Sequence, residues 1–259
     1  MAVAGLAGKV AIVTGGGSGL GREIALEYAE RGAAVVVASN VPGENEAVAD
    51  EAGERALPIN LDVSDEAQVA ALVDRTLDAF GTVDVLVAAA GLDVRRSPRR
   101  EDRHLQHVRP DDWRTVIDVN LTGTFLCIRA VLPHMLERGT GSLITLSSGT
   151  ARSPWKGLAA YASSKAAIET LTEVVALELE GSGVRANAVQ PGGRTRTAFF
   201  GDTVSEEELA RMHDPAVIRG LAAFLASDES IGVTGESLVA RDWNRERGLQ
   251  LCSCPDCAA

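Results

Sequence analysis

The sequence lacks an uninterrupted apolar run of the roughly 18 residues that a membrane-spanning helix requires. The segment Met1 to Gly8 also lacks the basic start, the long apolar core and the cleavage site of a signal peptide. We therefore expect a soluble, cytoplasmic protein with no membrane partner.

Positive charge is also scarce. The chain has 25 Lys and Arg against 36 Asp and Glu, which gives a formal net charge of −11. A surface of this sign repels phosphate backbones and anionic lipids, so nucleic acid and anionic membranes are disfavoured as partners. We expect a small-molecule substrate instead.

Cysteines are few, and three of the four, Cys252, Cys254 and Cys257, lie in the last eight residues. Cys127 stands alone, so the pattern is not that of a secreted, disulfide-stabilised protein. The three thiols and Asp256 could bind zinc. We favour a terminal segment with reduced thiols, because chain ends are ordered only where they are tied down, and we predict no metal site.

No internal repeat or linker interrupts the 259 residues, of which 46% are hydrophobic and 24% are charged. These values are ordinary for one globular domain with a substantial core. We predict a single domain over residues 1–245 and a cysteine-containing C-terminal tail over 246–259.

A glycine-rich turn, GGGSGLG at residues 15–21, follows the apolar segment Lys9 to Thr14. Apolar residues then recur at helical spacing, at Leu20, Ile24 and Tyr28. Backbone N–H groups at a helix N-terminus attract phosphate, and glycines leave them accessible. The turn therefore predicts a nucleotide site, although its spacing is not GxGxxG. A tight turn without a ligand is the alternative.

Tyr161 and Lys165 are four residues apart in a segment that is predicted to be helical, so they share one face. A free tyrosine has a pKa of roughly 10, and a neighbouring ammonium lowers that pKa towards neutrality. Ser148 follows the apolar run 142–147, so a strand would place its hydroxyl where the helix begins. A carbonyl oxygen could take a hydrogen bond from Ser148 and a proton from Tyr161. A plain surface pair is the alternative.

Together these motifs resemble those of the short-chain dehydrogenase/reductase family. The resemblance rests on Thr14-Gly-xxx-Gly-x-Gly, on Tyr161-xxx-Lys165 and on the 13-residue interval from Ser148 to Tyr161. It implies an α/β fold, a single-domain Rossmann-like doubly wound parallel sheet with helices on both faces. The matching strands are expected at Lys9–Thr14, Ala33–Ser39, Leu57–Asp62, Val83–Ala90, Gly141–Ser147, Val184–Val189 and Gly235–Ala240.

The resemblance implies an NAD(P)-dependent oxidoreductase that moves a hydride between a nicotinamide cofactor and a secondary alcohol or ketone. Tyr161 would be the general acid/base, and Lys165 would lower its pKa and hold the nicotinamide ribose. Ser148 would polarise the carbonyl, and Asn120 would hold a water that relays the proton. The cofactor would contact Gly15, Ser18, Gly19, Leu20, Gly21, Ser39, Asn40, Asp62, Val63, Ala89, Ala90, Gly91, Tyr161, Lys165, Pro191, Gly192 and Thr195.

The family also commonly pairs two long helices across subunits, here about Asp112–Glu137 and Gly157–Glu180, which implies a homodimer or homotetramer. Two other functions stay open. One is dehydration or epimerisation on the same scaffold, and the other is a nucleotide-binding protein without activity.

Four features depart from the family pattern, one of which is the unusual cysteine-containing tail. Ala88–Gly91 lacks the usual asparagine, so a polar support of the sheet is expected to be missing. Arg194 stands where a threonine often contacts the cofactor amide, and Thr195 or Thr197 could replace it. Arg241-Asp242-Trp243 follows the last strand in place of Asp-Gly-Gly.

Ser39 and Asn40 end the second strand, where an acid would bind the ribose 2′-hydroxyl of NAD. Without a carboxylate there is no repulsion of a 2′-phosphate, and without arginine there is no strong attraction. The cofactor is NAD or NADP, and these two residues lean slightly towards NADP.

The segment Gly91 to Pro110 concentrates arginine in an acidic chain. Its charged residues are Arg95, Arg96, Arg99, Arg100, Arg103 and Arg109, with Asp93, Glu101 and Asp102. Arg152 and Trp155 lie in the segment that lines the substrate side in the family. An anionic substrate is one hypothesis, because arginine matches carboxylate and phosphate geometry. We favour a solvated surface or pairing with a neighbouring subunit.

Overall fold

One parallel sheet organises the computed structural model, which describes residues 5–94, 101–199 and 204–249. Its spatial order is β3-β2-β1-β4-β5-β6-β7. The strands are β1 (Val10–Thr14), β2 (Ala34–Ser39), β3 (Ala56–Asn60), β4 (Val85–Ala88), β5 (Gly141–Leu146), β6 (Val184–Gln190) and β7 (Ser237–Val239).

Helices alternate with the strands along the chain. In the described residues they are α1 (Gly19–Glu30), α2 (Glu44–Ala52), α3 (Glu66–Phe80), α4 (Pro110–Ile117), α5 (Gly123–Arg138), α6 (Ala159–Glu178), α7 (Glu206–Ala210), α8 (Arg219–Ala226) and α9 (Ala240–Glu246).

The two faces of the sheet are both buried, as the side chains of β1 show. Ala11 and Val13 belong to the apolar cluster that includes α1 and α8. Ile12 points to the opposite face and belongs to the cluster that includes α3, α5 and α6. A continuous apolar strand is therefore needed here, because helices cover the sheet on each side.

The strand order reverses between β1 and β4, which are neighbours in the sheet. Ligands of open α/β sheets bind at such a switch point, outside the carboxyl ends of the strands. The glycine turn after β1, the loop after β4 and Ser148 after β5 all lie at this edge.

The predicted strands are present, but several end earlier than expected. β4 stops at Ala88 because the Ala89 N–H bonds back to the Val87 carbonyl and the chain leaves the sheet. β3 stops at Asn60, since the Asp62 carboxylate accepts from the Ser64 N–H and closes a turn. β7 stops at Val239 because α9 begins at the next residue.

The long helix that was expected to contain Asn120 is not regular. A π-helical turn, Asp118–Thr122, separates α4 from α5. Such turns carry one extra residue and are frequent at functional sites. The other long helix is α6, which begins two residues later than predicted, at Ala159.

Among the described residues, the helical run Pro110–Arg138 is long and apolar enough to cross a membrane by length and composition. In the fold it buries Val116, Ile128, Val131 and Met135 in the protein interior. A core helix meets the same criteria, so the cytoplasmic location stays a prediction.

The described chain remains packed through its last residues. The Arg247 guanidinium lies 4.1 Å from the centroid of the Trp243 ring, and Leu249 packs against the apolar core. The rest of the predicted tail, with its three cysteines, lies outside the described residues. The division into domain and tail therefore stays a prediction.

Candidate active site

A cleft of about 810 Å³ opens at the carboxyl edge of the sheet. It runs from Ser39 and Asn40 at the end of β2, past the glycine turn, to Tyr161 on α6. Every residue that was predicted to contact the cofactor lines it, as does Ser148. One predicted residue, Asn120, is fully buried behind the wall.

The glycine turn forms a cradle that side chains would fill. A Cβ on Gly15 would lie 2.8 Å from Ala90 N, and a Cβ on Gly21 would overlap the Gly15 carbonyl oxygen. Ser18 precedes α1 without a side-chain hydrogen bond to the helix, so the first N–H groups of α1 stay accessible. This arrangement fits the pyrophosphate of a dinucleotide.

Thr14 supplies the polar support that Ala88–Gly91 was expected to lack. Its buried hydroxyl donates to the Val87 carbonyl oxygen at 3.5 Å and accepts from the Ala90 N–H at 3.4 Å. These long bonds connect β1 to the start of the loop after β4. The asparagine of the family pattern is absent from this loop, and the Thr14 hydroxyl holds the start of the loop against β1.

Lys165 lies behind Tyr161 and is only 4% exposed. Its Nζ donates to the Leu146 carbonyl oxygen at 2.6 Å and lies 5.7 Å from the centroid of the Tyr161 ring. Burial lowers the pKa of Lys165 from 10.5 to about 8. The amine is therefore still an ammonium at neutral pH, and its positive charge lies beside the Tyr161 ring.

Ser148 begins a short 3-10 helix, Gly149–Ala151, directly after β5. Its Oγ accepts hydrogen bonds from the Thr150 N–H at 3.3 Å and the Thr150 hydroxyl at 3.1 Å. A serine oxygen has two acceptor positions, and Thr150 occupies both. The hydroxyl proton of Ser148 is thus left to donate to a ligand in the cleft.

The Asn120 side chain connects the loop after β4 to α6. Its Oδ1 accepts from the Leu92 N–H at 2.8 Å, and its Nδ2 donates to the Leu92 carbonyl oxygen and to Ser164 Oγ, both at 3.0 Å. A Cβ on Gly91 would lie 3.4 Å from both Asn120 Oδ1 and Lys165 Nζ. Asn120 therefore supports the cleft from behind, and its predicted water relay stays a prediction.

Glu44 is a wall residue that the sequence analysis missed. It begins α2, and a Cβ on Gly17 would lie 2.9 Å from both Glu44 Cβ and Ser39 Oγ. The sequence does place Glu44 five residues after the end of β2, close to where the cofactor was predicted to bind, and this position could have identified it.

The segment after β6 shows which threonine faces the glycine turn. Thr195 is buried and forms an isolated bridge with His213, whereas the methyl group of Thr197 would lie 3.3 Å from a Cβ on Gly19. Arg194 forms an ion pair with Glu208 at 3.3 Å.

The described arginines of the segment Gly91 to Pro110 do not line the cleft, although Gly91, Leu92 and Asp93 at its start do. Arg95, Arg96, Arg99 and Arg100 lie outside the described residues. Arg103 lines a separate cavity of about 60 Å³, and Arg109 is exposed just before α4. Arg152 and Trp155, by contrast, both line the main cleft.

Comparison with known proteins gives matches along most of the chain. The family model described as short chain dehydrogenase matches residues 9–208. The chain is 36% identical to the cis-4-hydroxycyclohexanecarboxylate dehydrogenase of Sinomonas cyclohexanicum over 239 residues, which cover 89% of this chain and 94% of the relative. It is 38% identical to the 3-alpha-(or 20-beta)-hydroxysteroid dehydrogenase of Mycobacterium tuberculosis over 236 residues, which cover 90% and 88%.

A solved structure shares the fold. The 3-ketoacyl-(acyl-carrier-protein) reductase from Brucella melitensis, complexed with NADH, aligns with a TM-score of 0.82 at 31% identity. The alignment covers 90% of this chain and 97% of that chain.

The buried Lys165 predicts a pH dependence of stability that Lys165→Met removes. Between pH 8 and 10.5 the unfolded chain keeps a proton that the folded Lys165 has lost, so the free energy of unfolding of the wild type rises with pH. We expect the difference in the free energy of unfolding between the wild type and Lys165→Met to rise by roughly 3 kcal/mol over this range. Below pH 8 and above pH 10.5 this difference should not change with pH.

The measurement is urea unfolding of the cofactor-free protein at a series of pH values. Lys156 is an exposed lysine, and Lys156→Met should show no such rise. A constant difference between wild type and Lys165→Met would contradict the desolvation of this amine.

Proposed function

This chain belongs to the short-chain dehydrogenase/reductase family and is an NAD(P)-dependent oxidoreductase of alcohol and ketone substrates, and from this premise we propose that Tyr161, Lys165 and Ser148 carry out its proton chemistry. One observation carries the proposal. All three residues line the same cleft as the glycine cradle, and Lys165 Nζ lies 5.7 Å from the centroid of the Tyr161 ring.

Tyr161 is the group that exchanges a proton with the substrate oxygen. It donates the proton when a ketone is reduced and accepts it when an alcohol is oxidised. The Lys165 ammonium, held by the Leu146 carbonyl oxygen, stabilises the phenolate that the donation leaves. When bound, the nicotinamide supplies or accepts the hydride.

Ser148 orients the substrate carbonyl beside Tyr161. Because Thr150 donates to both acceptor positions of its oxygen, the Ser148 hydroxyl would donate its own proton to the substrate carbonyl and polarise it. Asn120 acts as a positioning residue, because it ties the loop of Gly91 and Leu92 to α6.

Beyond Tyr161, the cleft is lined by the apolar side chains of Leu92, Trp155, Leu158 and Phe199. The Phe199 ring lies 5.0 Å from the Tyr161 ring. Two relatives are named for hydroxyl groups on a cyclohexane ring and on a steroid. These features support a cyclic secondary alcohol or ketone as the substrate class.

Tyr161→Phe removes the proton donor and keeps the ring. We expect kcat/KM for cyclic ketones to fall at least ~100-fold, with the cofactor dissociation constant near the wild-type value. Lys165→Ala, by contrast, should lower kcat/KM and also weaken cofactor binding. Nicotinamide absorbance gives the rates, and cofactor fluorescence gives binding. Tyr28, the other tyrosine of the chain, is buried in α1, so Tyr28→Phe is the matched control and should keep its turnover. Near-full turnover by Tyr161→Phe would refute the assignment.

The preferred cofactor is NAD in this proposal, although Ser39 and Asn40 alone leaned towards NADP. The described wall from Gly15 to Val63 contains the carboxylates of Glu44 and Asp62 and no lysine or arginine. The negative charge of a 2′-phosphate there would be repelled by these carboxylates, and no described cation would offset the repulsion. A neutral 2′-hydroxyl is not repelled in this way.

The test is binding of NADH and NADPH to wild type and Glu44→Gln. We expect NADH to bind at least ~10-fold more tightly, and Glu44→Gln to narrow that gap by about 3- to 10-fold, because one repulsive charge is removed. Asp50→Asn, which changes an exposed α2 carboxylate outside the cleft, should leave the gap unchanged. Tighter binding of NADPH by the wild type would overturn the preference.

The proposed assembly is a homo-oligomer that pairs α5 and α6 across subunits. Both helices expose large apolar side chains, with 47% of Leu136 and 66% of Leu177 accessible in the single chain. Phe125 and Val174 add to this surface, and such clusters on soluble proteins are typical of protein contacts.

Light scattering after gel filtration tests the assembly. We expect the wild type to be a dimer or tetramer, and Leu177→Lys to shift it to a smaller species, because a buried unpaired ammonium opposes association. Ile231→Lys, at a residue outside these helices that is 76% exposed, should leave the mass unchanged. A monomeric wild type would disprove this assembly.

A further inference from the structure

Glu169 is a buried carboxylate on α6, one helical turn beyond Lys165, and it is only 7% exposed. It lies behind the cleft wall rather than in it. Its Oε1 accepts hydrogen bonds from the hydroxyls of Ser147 and Ser237, both at 2.8 Å. Its Oε2 accepts from Arg152 Nε at 2.9 Å. The reaction proposed above does not use this group.

The state of Glu169 follows from its partners. Burial by itself raises the pKa of the carboxyl, but the hydrogen bonds from Ser237, Ser147 and Arg152 outweigh burial and leave the pKa below its usual range. Glu169 is therefore an anion at neutral pH. It binds the Arg152 guanidinium through Nε, which leaves the two Nη groups for other partners.

Arg152 itself lines the cleft. Its side chain is 62% exposed and lines the wall in the segment between Ser148 and Tyr161. No residue in the described ranges accepts a hydrogen bond from Nη1 or Nη2. The two Nη groups form a flat donor edge, which matches both oxygens of a carboxylate.

The other described cations of the wall are engaged differently. Lys165 donates to a backbone carbonyl beneath Tyr161, and Arg194 is paired with Glu208. Arg241 is paired with Asp242, a carboxylate that itself lines the cleft and would repel an anion. At Arg152 the balancing carboxylate is behind the wall, so the cleft side presents donors alone.

We propose that Arg152, held from behind by Glu169, binds an anionic carboxylate group of the substrate, so that the substrate is an oxo acid or hydroxy acid. This rests on the proposed function, since it places the reacting carbonyl between Ser148 and Tyr161. The apolar side chains of Trp155 and Leu158 then contact the carbon skeleton between the two ends.

The experiment compares 4-oxocyclohexanecarboxylate with its methyl ester. Binding to the protein saturated with oxidised cofactor is measured by calorimetry, and kcat/KM is measured by nicotinamide absorbance. We expect the wild type to prefer the acid, and Arg152→Gln to lower the acid-to-ester ratio in both measurements by about 10- to 100-fold. The acid-to-ester ratio of Arg152→Lys should lie between those of the wild type and Arg152→Gln, because lysine keeps the positive charge but lacks the two-pronged donor geometry of the guanidinium.

Two further variants keep the test decisive. Arg152→Gln leaves Glu169 buried and unpaired, which can destabilise the fold, so the double variant Arg152→Gln/Glu169→Gln removes both charges and should show the same loss in ratio. Arg129 is 60% exposed and paired with Glu66 outside the cleft. Arg129→Gln is therefore the matched control and should retain the wild-type ratio.

The two proposals fail in different ways. A wild type that binds the acid no better than the ester, or a double variant with an unchanged ratio, overturns the role of Arg152. Tight, Arg152-dependent binding of the acid without any change in nicotinamide absorbance supports the anion site and contradicts the proposed reaction.

Discussion

The hydrogen bond from Lys165 Nζ to the Leu146 carbonyl oxygen joins α6 to the last residue of β5, and the rest of the site depends on this bond. An ammonium in the protein interior is costly, which is why burial lowers the pKa of Lys165 to about 8. The Leu146 carbonyl offsets part of that cost. Ser148 lies two residues beyond Leu146, and Tyr161 lies one turn before Lys165. The same bond therefore sets the distance between the two groups that would hold a substrate carbonyl.

Two buried polar side chains fix the surroundings of this bond. Asn120, in the π-helical turn, ties the loop after β4 to Ser164 on α6. Glu169 ties the next turn of α6 to Ser147, Ser237 and Arg152. Each is buried and makes several hydrogen bonds, and a buried polar group without such partners would be destabilising. Helix α6 is thus held at two successive turns by buried groups, Asn120 through Ser164 and Glu169 through Ser147, Ser237 and Arg152.

The departures from the family pattern lie around this centre rather than in it. The loop after β4 is held by Thr14, a residue of the matching glycine motif, and Thr197 faces the glycine turn while Arg194 pairs with Glu208. These replacements keep the shape of the cleft, so the reaction class of the family is retained. Two charged residues of the cleft wall, Glu44 and Arg152, are the ones on which the proposed choice of cofactor and of substrate depends.

The sequence by itself determined the features that depend on local spacing. Continuous apolar segments predicted the strands of a sheet covered on both faces, the glycines predicted the turn after β1, and the interval from Tyr161 to Lys165 predicted their shared helix face. These need only the geometry of one element. The sequence did not predict where β4 and β7 end or that a π-helical turn contains Asn120. It also did not predict Glu44 in the cleft wall or the pairing of Arg152 with Glu169. Only the tertiary structure decided them, because each depends on hydrogen bonds or packing between elements far apart in the chain, and a one-dimensional pattern does not record which of those elements meet.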